Sequence, residues 1–326
     1  MSLLYLKKCY FSSEKNIIFV ISSFYRQKII YNKAMKNYLN FETDIKNLEL
    51  ELDKLKDPYN QEGLSEVDTQ KISSTQVELD KKLNDIYSNL DPWQTTMVAR
   101  HEDRPKSKFF IDNLFEDFIS LSGDRYYGED KSVLTGFAKF SGHSVLVIGQ
   151  EKGEDLDSRI ERNFGMMRPE GYRKTIRLMN LANKFNIPII SFIDTPGAYP
   201  GVGAEERGQA EAIAKSIECC MELKVPTIAI IIGEGGSGGA LGIGVGDHYS
   251  ILEHATYSVA SPEACSSIIW RTAEKAASAA ESMKVSAQEL IKIGIVDEII
   301  SEPLRLNFFL SPFTLSAITK SPYTIN

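Results

Sequence analysis

Two short runs of the chain are almost wholly apolar: Ile187-Pro-Ile-Ile-Ser-Phe-Ile193 and Val225-Pro-Thr-Ile-Ala-Ile-Ile-Ile232. Their length and their richness in isoleucine and valine predict strands buried on both faces, as in a parallel sheet covered by helices. Each run gives way to a glycine-rich turn, Asp194-Thr-Pro-Gly-Ala-Tyr-Pro-Gly-Val-Gly203 and Gly233-Glu-Gly-Gly-Ser-Gly-Gly-Ala240, and each turn to a helical pattern. A helix over 171–186, with Ile176, Leu178, Met179 and Ala182 inward, leads into the first run, and a helix over 205–223 leads into the second. Upstream, 134–140 and 143–149 alternate as a hairpin turning at Ser141-Gly142, and Gln150-Glu-Lys-Gly153 ends its second strand. This alternation predicts an α/β fold on a mostly parallel sheet.

The segment over 37–90 is polar with leucine-like spacing. Phe41, Ile45, Leu48, Leu52 and Leu55 recur at steps of three or four, and Ile72, Val77, Leu79, Leu83, Ile86 and Leu90 do so less regularly. With turn residues in Asp57-Pro-Tyr-Asn-Gln-Glu-Gly63 between them, the pattern predicts an α-hairpin with one apolar seam. Two roles suit it equally: a contact for a partner, or a packing arm on its own domain. Asp91-Pro-Trp opens a connector over 94–108, and a helix is predicted over 109–120.

Composition narrows the classes. With 326 residues, 43% apolar and 25% charged, the chain is that of a soluble globular protein. A formal charge of -7, with no basic stripe in the glycine-rich half, argues against nucleic acid as a partner. No apolar run is long enough for a spanning helix, so no membrane role is expected. Cys9, Cys219, Cys220 and Cys265 form no Cys-x-x-Cys pair, which points to reduced, cytoplasmic chemistry without a metal in this chain. Residues 1–34 carry six basic residues against Glu14 alone, and read as a dispensable leader before Met35 or as an organellar presequence, which would place the chain in an organelle stroma. Residues 305–326 hold Arg305 and Lys320 but no acid, and no fold is predicted for them.

Glycine at a strand-to-helix turn lets a ligand approach the backbone and leaves amide N–H groups free to meet negative charge. Two such turns would build a site from main-chain donors. Rival readings are weaker. Asp194-Thr-Pro-Gly197 matches one GTPase element, but no Gly-x-x-x-x-Gly-Lys-Ser/Thr accompanies it. Gly235-Gly-Ser-Gly-Gly239 satisfies the hydrolase pattern Gly-x-Ser-x-Gly, yet His248, His254 and Asp247 crowd within 17 residues of Ser237, unlike triad members. Ser237 then serves as a small residue at the helix start or in tight packing. His101 and His143 have no ligand companions at useful spacing and default to structural roles. Glu205 and Glu206 complement a helix dipole, while Arg207 and Lys152 are candidates to meet an anion.

The stretches Arg162-Asn-Phe-Gly165, Pro169-Glu-Gly-Tyr-Arg-Lys174, Phe192 to Gln209 and Ile232-Gly-Glu-Gly-Gly-Ser-Gly-Gly-Ala240 resemble the carboxyltransferase α subunit of bacterial-type acetyl-CoA carboxylase. Trp93-Gln-Thr, Ala99-Arg-His101, Arg104-Pro105 and Ser258-Val-Ala-Ser-Pro-Glu263 agree, and the likeness covers roughly 37–304. It implies a crotonase-like (ClpP-type) superhelix of stacked ββα units. It also implies transfer of a carboxyl group from carboxybiotin, on a biotin carboxyl carrier protein, to acetyl-CoA, giving malonyl-CoA for fatty-acid synthesis. The implied partners are a carboxyltransferase β subunit in an α2β2 assembly, carrying the zinc ribbon and most of the acetyl-CoA site, and biotin carboxylase. On that resemblance the biotin oxyanion is assigned to the backbone donors Gly238 and Gly239, with Gly197 and Ala198 facing them. Biotin contacts are assigned to Gly235, Gly236, Ser237, Tyr199, Gly201 and Lys152. The expected divisions are a leader over 1–34, the α-hairpin over 35–90, the carboxyltransferase domain over 91–304 and an atypical tail over 305–326, where Arg305-Leu-Asn-Phe-Phe departs from the family. Two other classes stay open: a crotonase-fold hydratase or decarboxylase acting alone, and a non-catalytic scaffold subunit.

Overall fold

The computed structural model describes residues 37–56 and 69–302; the expected leader, the turn residues over 57–63 and the tail lie outside them. Helices α1 (Thr43–Lys56) and α2 (Thr69–Tyr87) run antiparallel, since Asp44 meets Lys82 at 2.8 Å and Glu51 meets Lys71 at 3.4 Å. Their seam buries Ile45, Leu52, Leu79 and Tyr87, whereas Val77 faces out. Val98 of α3 (Pro92–Ala99) joins this seam, the Tyr87 hydroxyl donates to buried Glu42 at 2.8 Å, and the Tyr87 ring meets His254 edge-on. The base of the arm therefore packs on its own domain.

The expected connector begins instead as α3, because Asp91 and Gln94 form a reciprocal capping box and Pro92 sits where a helix tolerates it. After α4 (Ser107–Leu114) comes a second difference. The predicted helix stops at Phe115, and 116–120 form the edge strand β1 (Glu116–Ser120). Pairing with β2 (Val133–Phe140) supplies a ladder that outweighs the helical pattern. The hairpin of β2 with β3 (His143–Gln150) forms as expected, with Ser141 and Gly142 both at positive φ, the geometry of a two-residue hairpin turn.

From β3 onward the sheet is parallel. Helices α5 (Leu156–Glu161) and α6 (Pro169–Lys184) precede β4 (Ile189–Thr195). Then α7 (Val202–Glu206) and α8 (Gln209–Glu222) precede β5 (Thr227–Gly236). The helix expected over 205–223 is broken in two because Gly208 adopts a left-handed φ of 78°. α9 (Ser237–Gly244), β6 (His248–Leu252), β7 (Thr256–Ser258), α10 (Pro262–Trp270), α11 (Ala276–Met283), α12 (Ala287–Lys292) and β8 (Glu298–Ile300) complete the described chain. The strand order is β1-β2-β3-β4-β5-β6-β8, with β7 on the far end of β5. Leu146, Ile148, Phe192 and Ile230 lie fully buried in the sheet, under Leu178 and Met179 of α6, and Phe110 stacks on Phe192 at 5.4 Å. This places the carboxyl ends of β3, β4 and β5 side by side, where ligands of parallel α/β sheets bind.

Candidate functional site

At those carboxyl ends stand Gln150, Thr195 and Gly236, the last residues of β3, β4 and β5. The first glycines of the second turn, 233–236, are strand rather than turn. Gly235 pairs with Thr195, and the Glu234–Gly236 segment pairs with β7. The turn proper is the single step from Gly236 into α9, where Ser237 holds a φ of 54°, sparsely populated for a side chain other than glycine.

The two turns touch. A Cβ on Gly236 would lie 2.3 Å from the Pro196 carbonyl oxygen, and one on Gly239 would lie 2.3 Å from the Gly197 carbonyl carbon and 2.7 Å from the Ala198 nitrogen. Only glycine permits that approach. No side chain caps α9 at Gly236, so the N–H groups of Ser237, Gly238 and Gly239 precede the first intrahelical bond. Among the described residues the Ala198 N–H makes no hydrogen bond either. Gly197 differs: its N–H donates to Thr195 Oγ1 at 3.2 Å, and the Thr195 hydroxyl donates to the Gly197 carbonyl at 2.7 Å. Of the two residues facing α9, Ala198 thus has the unbonded N–H, and the Gly197 amide is used within its own turn.

Behind the turns lies a chain of ion pairs. Lys152 Nζ sits 2.7 Å from Asp194 Oδ1 and 2.9 Å from Glu234 Oε2; Arg100 Nε lies 2.5 Å from Glu234 Oε1 and its NH1 2.6 Å from Glu263 Oε1. Asp194 Oδ1 also accepts the Glu234 N–H at 3.0 Å. Burial alone would raise the Glu234 carboxyl, but Lys152 and Arg100 hold it below its ordinary value. Burial would likewise lower Lys152, and the two carboxylates outweigh it and keep the ammonium charged. Lys152 is therefore committed to the two strand ends that carry the turns. A cavity of about 340 Å³ opens beside the network against Pro196 and Glu234, with Lys106 and Arg159 in its wall. Lys106 donates to the carbonyls of Glu102 and Arg104, and burial pulls its amine below the usual lysine range.

A model of the family described as acetyl co-enzyme A carboxylase carboxyltransferase-like matches residues 38–307. This chain belongs to that family. It is 76% identical over 270 residues to the acetyl-coenzyme A carboxylase carboxyl transferase subunit alpha of Pelagibacter ubique, covering 83% of this chain and 73% of that one. The protein of that name from Beijerinckia indica is 50% identical over 270 residues, with 83% and 85% covered. Among solved structures the chain resembles transcarboxylase 12S, with a TM-score of 0.51 and 21% identity over 62% of this chain and 38% of that one. It also resembles the beta subunit of geranyl-CoA carboxylase from P. aeruginosa, with a TM-score of 0.51 and 14% identity over 64% and 41%. At these identities the likeness is one of fold, and it agrees with the crotonase-like α/β architecture expected from sequence.

Within this carboxyltransferase fold the remaining expected residues take distinct places. Tyr199 is half-buried beneath the Arg168 guanidinium, 4.4 Å from its ring centroid, and Gly201 closes against that ring, where a Cβ would come within 2.2 Å. Gly235 and Gly236 are buried in the sheet, whereas Ser237 is exposed beside the amides. Arg207 pairs with Glu170 and covers the Tyr127 ring. His254 lies against Tyr87 and His248 near Asp297 and Glu298, so neither is a base for Ser237. His101 accepts the Asp103 N–H at Nδ1, 3.1 Å away, which leaves Nε2 to donate to the Asn37 carbonyl at 3.0 Å. Sequence reasoning passed over Gln150, Arg100 and Glu263. For Gln150 the available signal was a polar residue at the carboxyl end of an otherwise apolar strand; Arg100, at the end of α3, and Glu263, at the start of α10, were marked only as members of motifs shared with the family.

Proposed function

We propose that the chain works as the α subunit of an acetyl-CoA carboxylase carboxyltransferase, forming the carboxybiotin side of a site completed by a β subunit. The observation that carries this reading is the contact of Gly239 with the Gly197-Ala198 turn, which gathers the uncommitted amides of Gly238, Gly239 and Ala198. Biotin on its carrier supplies a ureido oxygen that gains negative charge as the carboxyl group departs. The three amides donate to that oxygen, and being fixed in the fold they need no reorganisation. Lys152, tied to Asp194 and Glu234, holds the strand ends that aim them. Tyr199 and Gly201 border the site, and the exposed Ser237 hydroxyl needs no base for this role.

The half-site is open. Val202 is 75% exposed and Leu241 39% exposed, on the helices that follow the two turns. A β subunit covering them excludes water and brings acetyl-CoA, in an α2β2 assembly served by the biotin carboxyl carrier protein and biotin carboxylase in the cytoplasm. Among the described residues no cluster of His, Cys, Asp and Glu is arranged to hold a metal ion, and no helix is long and apolar enough to cross a membrane. Zinc belongs to the β subunit in this reading.

The test is to co-purify the full chain with its β subunit and follow malonyl-CoA decarboxylation with free biotin. Turnover that needs both biotin and the β subunit is expected. Turnover by the chain alone without biotin identifies a self-sufficient crotonase-fold enzyme, and a complex inert to biotin identifies a scaffold.

A further inference from the structure

Gln150 is the last residue of β3 and is wholly buried. Its side-chain amide spans the two glycine turns. Oε1 accepts the Asp194 N–H at 3.1 Å, at the end of β4, and Nε2 donates to the Gly239 carbonyl at 2.7 Å, in the first turn of α9. Nε2 also lies 3.5 Å from Met167 Sδ. The partners fix which end of the amide is which, because the Asp194 N–H only donates and the Gly239 carbonyl only accepts.

We infer that Gln150 is a positioning residue, a buried crosslink that sets the distance and angle between the first turn of α9 and the facing Gly197-Ala198 turn. This rests on the reading of those amides as oxyanion donors. Residues 235–239 are Gly-Gly-Ser-Gly-Gly, so α9 begins with almost no side chains of its own to anchor it. Holding the Gly239 carbonyl fixes the backbone at the residue whose Cα abuts the Gly197-Ala198 peptide. The Lys152 bridge acts at another level, joining Asp194 and Glu234 before either turn begins. Gln150 shares the Asp194 anchor, through that residue's backbone N–H, and reaches past Glu234 to the Gly239 carbonyl. An oxyanion site depends on donors placed to a fraction of an ångström, and a misplacement of about 1 Å costs on the order of a hundredfold in rate.

Two substitutions separate positioning from mere packing. Gln150→Met keeps length and approximate volume but loses both hydrogen bonds. Gln150→Glu keeps the shape, and its chemistry depends on protonation. The neutral acid accepts from Asp194 and donates its O–H to the Gly239 carbonyl, whereas the carboxylate has no proton to give and faces that oxygen. Burial raises the pKa of a carboxyl there, so the crosslink is present at low pH and lost as pH rises through the raised value. The buried or half-buried ionisable groups on the surrounding elements include Glu151 and Lys152 on the same strand end, Asp194 on β4, Glu234 on β5, and Glu170, Tyr172 and Lys174 on α6. All are common to both proteins, so the variant-to-wild-type ratio isolates position 150.

The measurement uses the full chain with its β subunit. Gln150→Met is expected to lower kcat by about tenfold to a hundredfold with the KM for biotin within about twofold. The Gln150→Glu ratio is expected to approach wild type near pH 6 and fall toward pH 8–9, on the order of the pKa of a buried carboxyl. Independently of activity, amide hydrogen exchange of peptides spanning 233–241 should quicken in Gln150→Met, and in Gln150→Glu only at the higher pH. A Gln150→Met kcat within twofold of wild type, or a Gln150→Glu profile parallel to wild type with unchanged exchange, overturns the inference. Removal of the Gly238 donor by proline separates the two claims. If that variant is inactive while Gln150→Glu shows no pH response, positioning fails and the donor reading stands. If it is fully active, the donor reading fails.

Discussion

Gly238 and Gly239 look alike in sequence, but the structure makes them unequal as tests of amide donation. A Cβ on Gly239 would strike the Gly197 backbone at 2.3 Å, so any side chain there displaces the facing turn and loses activity for a steric reason. At Gly238 the nearest atoms to a new Cβ are Ile213 Cγ2 at 3.6 Å and Cδ1 at 3.8 Å, ordinary contacts. Gly238→Ala is therefore expected to fold normally, keep its N–H and retain kcat within about threefold. Gly238→Pro adds the same Cβ, removes the N–H and sets its ring Cδ where that hydrogen pointed, at the second position of α9, where a helix makes no use of that donor. Ser237 already holds a positive φ of 54° and precedes the new proline. The substitution is best placed in a Ser237→Gly background, which accepts that backbone freely. Loss of one oxyanion donor costs about 3–4 kcal/mol of transition-state stabilisation. At 1.36 kcal/mol per tenfold, that is about 10²- to 10³-fold in kcat. The assay is biotin-dependent malonyl-CoA decarboxylation by the complex, with thermal unfolding as the folding control. A Ser237→Gly/Gly238→Pro protein that unfolds normally and turns over at the rate of Ser237→Gly alone would refute the reasoning.

Three further outcomes follow from the same geometry. Lys152→Met leaves the Asp194 and Glu234 carboxylates without their shared cation, and a drop of about 3–5 kcal/mol in unfolding free energy is expected in urea titrations; a change under about 1 kcal/mol would show that Arg100 alone neutralises the pair. Glu234 has a depressed pKa, so its stabilising contribution is full above the ordinary glutamate value of 4.5 and is lost as pH falls through the lower folded value. Urea midpoints should decline over that acidic window for the wild type and less steeply for Glu234→Gln. Ser237→Ala removes an exposed hydroxyl that no histidine faces, and kcat is expected to stay within about threefold; loss of about 10⁴-fold would restore the nucleophile reading.

Much of the sheet was legible because burial on both faces leaves a compositional trace. Ile189–Thr195 and Thr227–Gly236 announce themselves by isoleucine, and the β2–β3 hairpin by Ser141-Gly142. Two of the misreadings share a cause. Residues 116–120 look helical alone and 233–236 look like turn alone, yet each is a strand because another strand lies alongside, β2 in one case and β7 with β4 in the other. A ladder partner is a tertiary fact, and no local pattern carries it. The couplings of the site are similarly distant in sequence: Gln150 to Gly239, Arg100 to Glu234 and Glu263.

The glycines themselves admit two explanations, close packing of turn on turn and access of a ligand to backbone amides, and the structure gives each a different residue. Gly236 and Gly239 are buried against Pro196 and the Gly197-Ala198 peptide, so sterics alone demand glycine there. Gly238 has room for a Cβ beside Ile213, so close packing does not by itself demand glycine there. What it does have is an amide ahead of the first helical bond, half-exposed beside Ser237. The packing glycines bring the donors together, and Gly238 keeps the approach to them clear. Activity should therefore fall with side-chain size at Gly238 while stability holds, whereas at Gly239 the two should fall together. Parallel loss of stability and activity at both positions would mean that packing accounts for the whole motif.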